Sequence, residues 1–212
     1  MSDSLNVHFL SRKFHSLTGV IPVGAFLAFH LWENSMSRLG GTYFNEHVVR
    51  GIEQMLNYKL AAELVLGSII LFHGIYGLVI WWQGRSNVKS YRHWANLRYL
   101  LQRLTAFTTL AFIIWHVWTT RVAAGVDPAI GADLFGHMQR LYTNPAIVVL
   151  YVIGIAGATF HLANGVWLAT VTWGLTTHPR AQKLFAYACA GIFLATTFFG
   201  LHALWGFNHR FF

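Results

Sequence analysis

Cysteine, charge and nucleotide-binding loops are the features that this sequence has least of. Cys189 is the one cysteine among 212 residues, which excludes an internal disulfide and a cysteine-ligated iron–sulfur cluster. Charged residues make up 10% of the chain, whereas ordinary soluble domains contain about 25%. Neither G-x-G-x-x-G nor G-x-x-x-x-G-K-S/T occurs, so the sequence offers no recognisable phosphate-binding loop. The sequence therefore points away from a soluble domain and from a protein that holds its own iron–sulfur cluster.

Hydrophobic residues make up 55% of the chain and are concentrated in long runs. A helix needs about 20 mostly apolar residues to cross the hydrocarbon core of a bilayer. The stretches that meet this requirement are Leu17–Met36, Ala61–Trp82, Leu100–Thr120, Ala146–Trp173 and Leu184–Phe207. We therefore predict an all-α fold, a single domain over residues 1–212 that forms an integral membrane bundle of five transmembrane helices. Pro22 is expected early in the first helix, where a proline costs little.

The charges between these stretches predict the orientation of the bundle. On the N-terminal side, one acid, Asp3, accompanies the bases Arg12, Lys13, Arg85, Lys89, Arg92, Arg98, Arg103, Arg180 and Lys183. The opposite side carries bases and acids in equal number. Because cytoplasmic loops are enriched in lysine and arginine, we predict the N-terminus inside and the C-terminus outside. The net charge of +8 then favours anionic lipid headgroups and a docked protein partner over nucleic acid.

Four histidines lie inside the apolar stretches, one in each of the first four: His30, His73, His116 and His161. An ionisable side chain at membrane depth is costly, and by default it marks a functional site with a partner. His30 lies about 25 Å along a helix from Lys13, in the outer half of the membrane. His116 also belongs in the outer half, whereas His73 and His161 lie at mid-depth or in the inner half. Depth therefore pairs His30 with His116, and His73 with His161.

Two imidazoles from different helices at one depth suit bis-histidine ligation of a haem inside a helical bundle. Since no C-x-x-C-H occurs and no methionine reaches mid-membrane, we predict two non-covalent b haems with the four histidines as ligands. Gly77 and Gly157 lie one turn from His73 and His161 and would leave room for the macrocycle. A packing role and a proton relay are the alternatives. A relay usually recruits intramembrane acids, and Glu63 is the one acid in a central span.

Two haems stacked across the membrane would conduct electrons, since bis-histidine ligation leaves neither iron an open position for a substrate. Their anionic propionates are expected to lie near bases. The inner candidates are Arg12, Lys13, His15, Arg98 and Arg103, and the outer candidates are Arg38 and Arg121. The alternative for most of them is an ordinary loop charge.

At these residues the sequence resembles a known family. The blocks that carry the resemblance are R-K-F-H-S-L-T-G-V-I-P-V-G and F-H-L within Arg12–Leu31, F-H-G-I-Y-G (Phe72–Gly77), L-Q-R-L-T (Leu101–Thr105), W-H-V-W-T-T-R (Trp115–Arg121), F-H-L-A-N-G (Phe160–Gly165) and V-T-W-G (Val171–Gly174). They are similar to blocks of the cytochrome b558 membrane-anchor subunits of succinate dehydrogenase. The similar subunits are the five-helix, two-haem kind found in the cytoplasmic membrane of Bacillus-like bacteria.

The resemblance implies that His30 and His116 ligate an outer haem, and His73 and His161 an inner one. It implies two soluble partners on the cytoplasmic face, a flavoprotein that oxidises succinate and an iron–sulfur subunit. Electrons would pass from that partner through both haems to menaquinone near the outer surface. The chain itself would perform no dicarboxylate chemistry.

The resemblance also implicates an acid of the first outer loop in quinone chemistry, because quinone reduction takes up two protons. Glu53 occupies that place, and Glu46 is its rival. Glu33 and Glu63, near helix ends, are further alternatives. Thr159 stands where some fumarate reductase relatives carry a glutamate, so a proton path through that position is not expected.

Other functions fit parts of the sequence. A fumarate reductase subunit would have the same architecture, but electrons would pass in the opposite direction, from menaquinol to fumarate. A passive anchor for a soluble enzyme would not require four histidines at membrane depth. The cytochrome b of a hydrogenase or formate dehydrogenase would not account for the full run of blocks.

Overall fold

The computed structural model describes residues 2–50, 59–85, 88–90 and 93–208, and the described part contains helices and no strand. Its longer helices are α1 (Ser2–Val20), α2 (Pro22–Asn34), α3 (Lys59–Gln83), α4 (Trp94–Val117), α5 (Leu134–Leu141), α6 (Pro145–Thr172) and α7 (Pro179–Phe207). Shorter helical turns occupy much of the two long connections, at residues 35–49 and 118–132. The all-α class is confirmed.

Within the described part of the chain, five helical stretches are long and apolar enough to cross a membrane. They are Val7–Leu39, Leu60–Gln83, Trp94–Val126, Pro145–Thr172 and Pro179–Phe207. This confirms the predicted number of membrane-length helices. The first helix begins at Ser2 and the third stretch at Trp94, both earlier than expected from the apolar runs. The difference arises because backbone hydrogen bonding continues into polar residues that lie beyond the hydrocarbon layer.

Pro22 lies in the middle of the first membrane stretch and is the first residue of α2, so it falls early in a helix as expected, although the stretch is divided into two helices there. Ile21 alone separates α1 from α2, and backbone hydrogen bonds of 3.0 Å join Ile21 N to Leu17 O and Ala25 N to Ile21 O. Proline lacks an N–H and crowds the carbonyl one turn earlier, which interrupts the helix locally. The interruption separates His15 on α1 from His30 on α2.

The bundle has two ends. We call the end where α1 begins and α3 and α6 finish the basic end, since it carries Arg12, Lys13, Arg98 and Arg103. We call the opposite end, where α2 and α4 finish and α5 lies, the loop end. The basic end corresponds to the predicted inner side.

Helix α6 lies at the centre of the bundle, in contact with α1, α4 and α7. Small residues let its neighbours approach closely, as in membrane helix packing generally. A methyl group added to Gly154 would lie 2.5 Å from the ring of Phe112 on α4. On the other side of α6, a methyl group at Gly200 of α7 would lie 2.6 Å from Ile155. In contrast, α3 packs against α1, α2 and α4 rather than mainly against α6, and none of its described side chains is buried, so α3 lies at the periphery.

A compact aromatic core closes the loop end. Its buried members are Phe44, Val48, Phe135, Met138, Tyr142, Tyr151, Leu204 and Phe207. Helix α5 is held against this core by Asp133, whose carboxylate accepts hydrogen bonds from Gly136 N at 2.8 Å and Asn45 Nδ2 at 2.9 Å. These bonds, the backbone one first, lower the pKa of Asp133 below its usual value.

Replacing Asp133 by alanine removes the N-cap of α5, so we expect the midpoint of thermal unfolding at pH 7 to fall by about 2–4 °C. Because the folded-state pKa of Asp133 is lowered, its contribution is present above about pH 4 and is lost as the pH falls through the lowered value. The difference between wild type and Asp133→Ala should therefore shrink at pH 3. The control Asp133→Asn keeps an acceptor for Gly136 and should fall between the two at pH 7. An equal difference at both pH values would contradict the role of the carboxylate.

Two histidine pairs as the candidate functional site

The first histidine pair lies toward the loop end. His30 of α2 and His116 of α4 face each other with ring centroids 6.0 Å apart and ring planes at 75°. His116 Nδ1 lies 3.1 Å from the hydroxyl of Tyr151 on α6. Asn34, one turn beyond His30, has its Nδ2 3.3 Å from His30 Nδ1 and donates to the His30 carbonyl at 2.7 Å. Three helices therefore meet at this pair.

The second pair lies toward the basic end. His73 of α3 and His161 of α6 have ring centroids 6.3 Å apart and ring planes at 84°. His73 Nδ1 lies 3.1 Å from the backbone carbonyl of His15, whose own ring stacks on that of His73 at 4.1 Å and 5°. His161 Nδ1 is buried and has no hydrogen-bond partner among the described residues. The pair thus joins the peripheral helix α3 to the central helix α6.

The spacing within both pairs suits one metal ion between two imidazoles. Two imidazoles bound on opposite sides of one metal ion, each through a bond of about 2.0 Å, have ring centres roughly 6 Å apart. The observed separations are 6.0 Å and 6.3 Å. Two nitrogens are too few for a structural zinc site, which takes four ligands, but they are the number that a haem leaves to the protein. The residues present therefore fit an iron macrocycle.

Glycines set the approach of the helices around the second pair. A methyl group at Gly19 of α1 would overlap the ring of His73, so α1 and α3 can pack as they do only with glycine there. A methyl group at Gly77 would lie 3.2 Å from His15 Nε2. A methyl group at Gly157 would lie 3.2 Å from Thr108 Oγ1. Gly157 therefore faces α4. Gly19 was missed at the sequence level, although it stands in the first block of the resemblance.

A polar network around the buried Asn164 fastens α4 to α6 beside His161. Arg98 Nε donates to Asn164 Oδ1 at 2.8 Å, and Asn164 Nδ2 donates to Gln102 Oε1 at 2.8 Å. Gln102 Nε2 in turn donates to the carbonyl of His161 at 3.2 Å. The guanidinium of Arg98 lies 3.8 Å over the ring of Trp167, a cation–π contact. Asn164 and Gln102 were missed at the sequence level, where two amides inside apolar helices were the available signal.

The remaining basic candidates contact protein atoms near the ends of the helices. At the basic end, Arg12 donates to Gln83 Oε1 at 3.0 Å, Lys13 donates to Thr172 O at 2.5 Å, and Arg103 donates to Trp81 O at 2.6 Å and to Tyr99 at 3.0 Å. At the loop end, the Arg38 guanidinium lies 4.1 Å over Trp205. Arg121 forms a bidentate pair with Glu63, with distances of 2.8 Å and 2.9 Å.

The candidate acids are in different settings. Glu53 lies outside the described residues. Glu46 is exposed on a turn at the loop end, and Glu33 is half-buried near the end of α2. Glu63 is engaged by Arg121, which ties α3 to the turn that follows α4. An ion pair of this kind partly neutralises both members.

Thr159 is fully buried between α6 and α7. Its hydroxyl donates to Ile155 O at 2.8 Å and shares a hydrogen bond of 2.8 Å with Thr197. The residue two positions before His161 thus serves helix packing.

The fold and the site together define a class, that of polytopic α-helical membrane proteins with imidazoles paired between neighbouring helices. The succinate dehydrogenase cytochrome b558 subunit of Bacillus subtilis (strain 168) is 36% identical to this chain over 203 residues, 95% of this chain and 98% of the relative. The chain belongs to the family of succinate dehydrogenase cytochrome b558 subunits, which confirms the resemblance seen in the sequence blocks. No protein-family model matches the chain.

The Asn164 network predicts non-additive effects on stability. Asn164→Leu or Gln102→Leu leaves a buried polar partner without its hydrogen bond, and each should lower the free energy of unfolding by about 1–3 kcal/mol. The double variant removes both partners and should cost less than the sum of the single variants. Unfolding of the purified protein in mixed micelles measures all three values. Strictly additive losses would show that the two amides do not act as one unit.

Proposed function

We propose that the chain is the membrane-anchor cytochrome b subunit of a succinate:menaquinone oxidoreductase in a bacterial cytoplasmic membrane. Electrons would pass from an iron–sulfur partner through two b haems to a quinone. The observation that carries the proposal is the spacing of the two histidine pairs, 6.0 Å and 6.3 Å, in a member of this family. When bound, bis-histidine haems supply one-electron transfer without an open position at the iron.

In this proposal His30 and His116 are the ligands of the outer haem, and His73 and His161 those of the inner haem. A histidine that binds a metal through Nε2 keeps its proton on Nδ1 and needs an acceptor for it. The carbonyl of His15 is that acceptor for His73, at 3.1 Å. With Nδ1 bonded to that carbonyl, Nε2 of His73 is the nitrogen left to bind a metal.

The propionates would be bound by the bases at the two ends of the bundle. Those proposed are Arg12, His15, Arg98 and Arg103 for the inner haem, and Arg38 and Arg121 for the outer one. Arg98 has the strongest support, because Asn164 holds its guanidinium within one turn of His161. A charged group fixed this close to a ligand can pair with an anionic substituent without moving its helix.

The basic end would face the cytoplasm and bind the iron–sulfur and flavoprotein subunits. The support is the concentration of lysine and arginine at that end, which follows the charge bias of cytoplasmic loops. The N-terminus would then be inside and the C-terminus outside. This orientation brings the second histidine pair nearest to the soluble partners and the first pair nearest to the quinone.

Quinone reduction near the loop end needs a proton donor, and we propose Glu53 for it, with Glu46 as the alternative. Glu46 is exposed on the turn that follows α2, on the same side of the bundle as His30 and His116. Glu63 is a weaker candidate, since its carboxylate is already paired with Arg121.

Replacing His73 by alanine should reduce the haem content from two to one per chain, because the His30–His116 pair is independent of it. A pyridine-haemochrome assay on the purified protein measures the content directly. His202→Ala is the matched control, since His202 also lies on a membrane helix but contacts Phe198 and Trp205 rather than another histidine. Loss of both haems, or of neither, would contradict the proposed pairing.

Glu53→Gln should lower quinone reductase turnover at least tenfold with the haem content unchanged, because proton delivery by a carboxyl group contributes about 10²–10⁴-fold. The turnover of membranes containing the assembled complex is measured with succinate as donor. Glu46→Gln tests the alternative acid, and Asp127→Asn serves as an outer-side control that preserves a helix cap. Unchanged turnover in Glu53→Gln would clear Glu53 of the role.

A further inference from the structure

The four histidines differ in what lies beside Nδ1. For His73 it is a backbone carbonyl, for His30 the amide of Asn34 on the same helix, and for His161 no described group. For His116 it is the hydroxyl of Tyr151, at 3.1 Å. A side-chain hydroxyl can be removed without other change, so this contact can be tested by deleting one oxygen atom.

Tyr151 is held rigidly at this place. The residue is 5% exposed, and its ring makes edge-to-face contacts with Phe112 at 5.2 Å, Trp115 at 5.6 Å and Tyr142 at 4.8 Å. Phe112 and Trp115 lie on α4 with His116, one turn and one residue before it. The same helix that carries the histidine therefore encloses the tyrosine, and the hydroxyl cannot swing away without disturbing the loop-end core.

We propose that Tyr151 is a positioning residue for the haem held by His30 and His116. Its hydroxyl accepts the Nδ1–H of His116, keeps Nε2 free to bind iron and fixes the ring plane. It thereby lowers the reduction potential of that haem. The inference rests on the proposed function, which makes His116 a ligand.

The direction of the effect follows from the hydrogen bond. An acceptor at Nδ1–H makes the imidazole a stronger donor, and second-shell hydrogen bonding is one of the means by which a protein tunes haem iron. A stronger donor favours the oxidised iron, which carries more positive charge. Removing the acceptor should therefore raise the potential of this haem alone.

The test is a redox titration of Tyr151→Phe in membranes that contain the full chain with its partner subunits. The haem bound by His30 and His116 is identified as the wave that disappears in His116→Ala. At a fixed potential near its midpoint, the ratio of reduced to oxidised haem should rise about tenfold, equivalent to a shift of about 59 mV for one electron. The other haem should titrate as in the wild type.

Tyr142→Phe is the matched control. Tyr142 is equally buried and its hydroxyl interacts with that of Tyr151, but no ring contact joins it to His116 among the described residues, so this variant perturbs the Tyr151 hydroxyl without removing it. Burial, and then the neighbouring Tyr151, raise the pKa of Tyr142 far above its usual value, so the control removes a neutral dipole rather than a charge. Its effect on the ratio should be less than threefold.

The outcomes distinguish failure of the role proposed for Tyr151 from failure of the proposed haem-binding function. Loss of that one haem in Tyr151→Phe, with Tyr142→Phe intact, would also support a positioning role. With two haems retained, an unchanged potential, equal shifts of both haems or an equal shift in Tyr142→Phe would overturn it. Loss of both haems in Tyr151→Phe alone would overturn it as well, because it indicates a general packing defect. Absence of haem from the wild-type chain would instead overturn the proposed function.

Discussion

An imidazole at membrane depth is costly unless its nitrogens have partners, and the helices of this bundle are arranged around that requirement. His30 and His116 bring α2 to α4, and His73 and His161 bring α3 to α6. Close approach at the second pair requires a residue without a side chain at Gly19, where a methyl group would overlap His73. The paired rings thus face each other between helices that make few other contacts, whereas α6 packs mainly against α4 and α7.

Other polar groups in the bundle follow the same rule. Asn164 joins Arg98 to Gln102 between α4 and α6, and Arg121 pairs with Glu63 between the third and second membrane stretches. Each of these bonds joins two helices and so also limits how they rotate about their axes. Arg98 and Arg121 therefore hold neighbouring helices together through protein contacts alone, without a cofactor.

The two ends of the bundle serve different needs. Tyr142, Tyr151 and the short helix α5 form a closed aromatic core at the loop end, whereas the basic end presents charged side chains that hydrogen-bond to helix ends. In the proposed function, a rigid core beside His116 would suit fine control of the haem bound there. A charged rim suits docking of soluble subunits, which electrostatic complementarity orients.

The sequence by itself determined the number of membrane helices, the four histidines and their pairing by depth. Depth can be read along one helix because each residue adds about 1.5 Å and hydrophobicity marks the part within the bilayer. Only the tertiary structure decided that Tyr151 lies beside His116, that Gly19 touches His73 and that Glu63 is engaged by Arg121. Each of these contacts depends on how two helices are rotated about their axes. Rotation is set by packing between helices, which no single stretch of sequence contains.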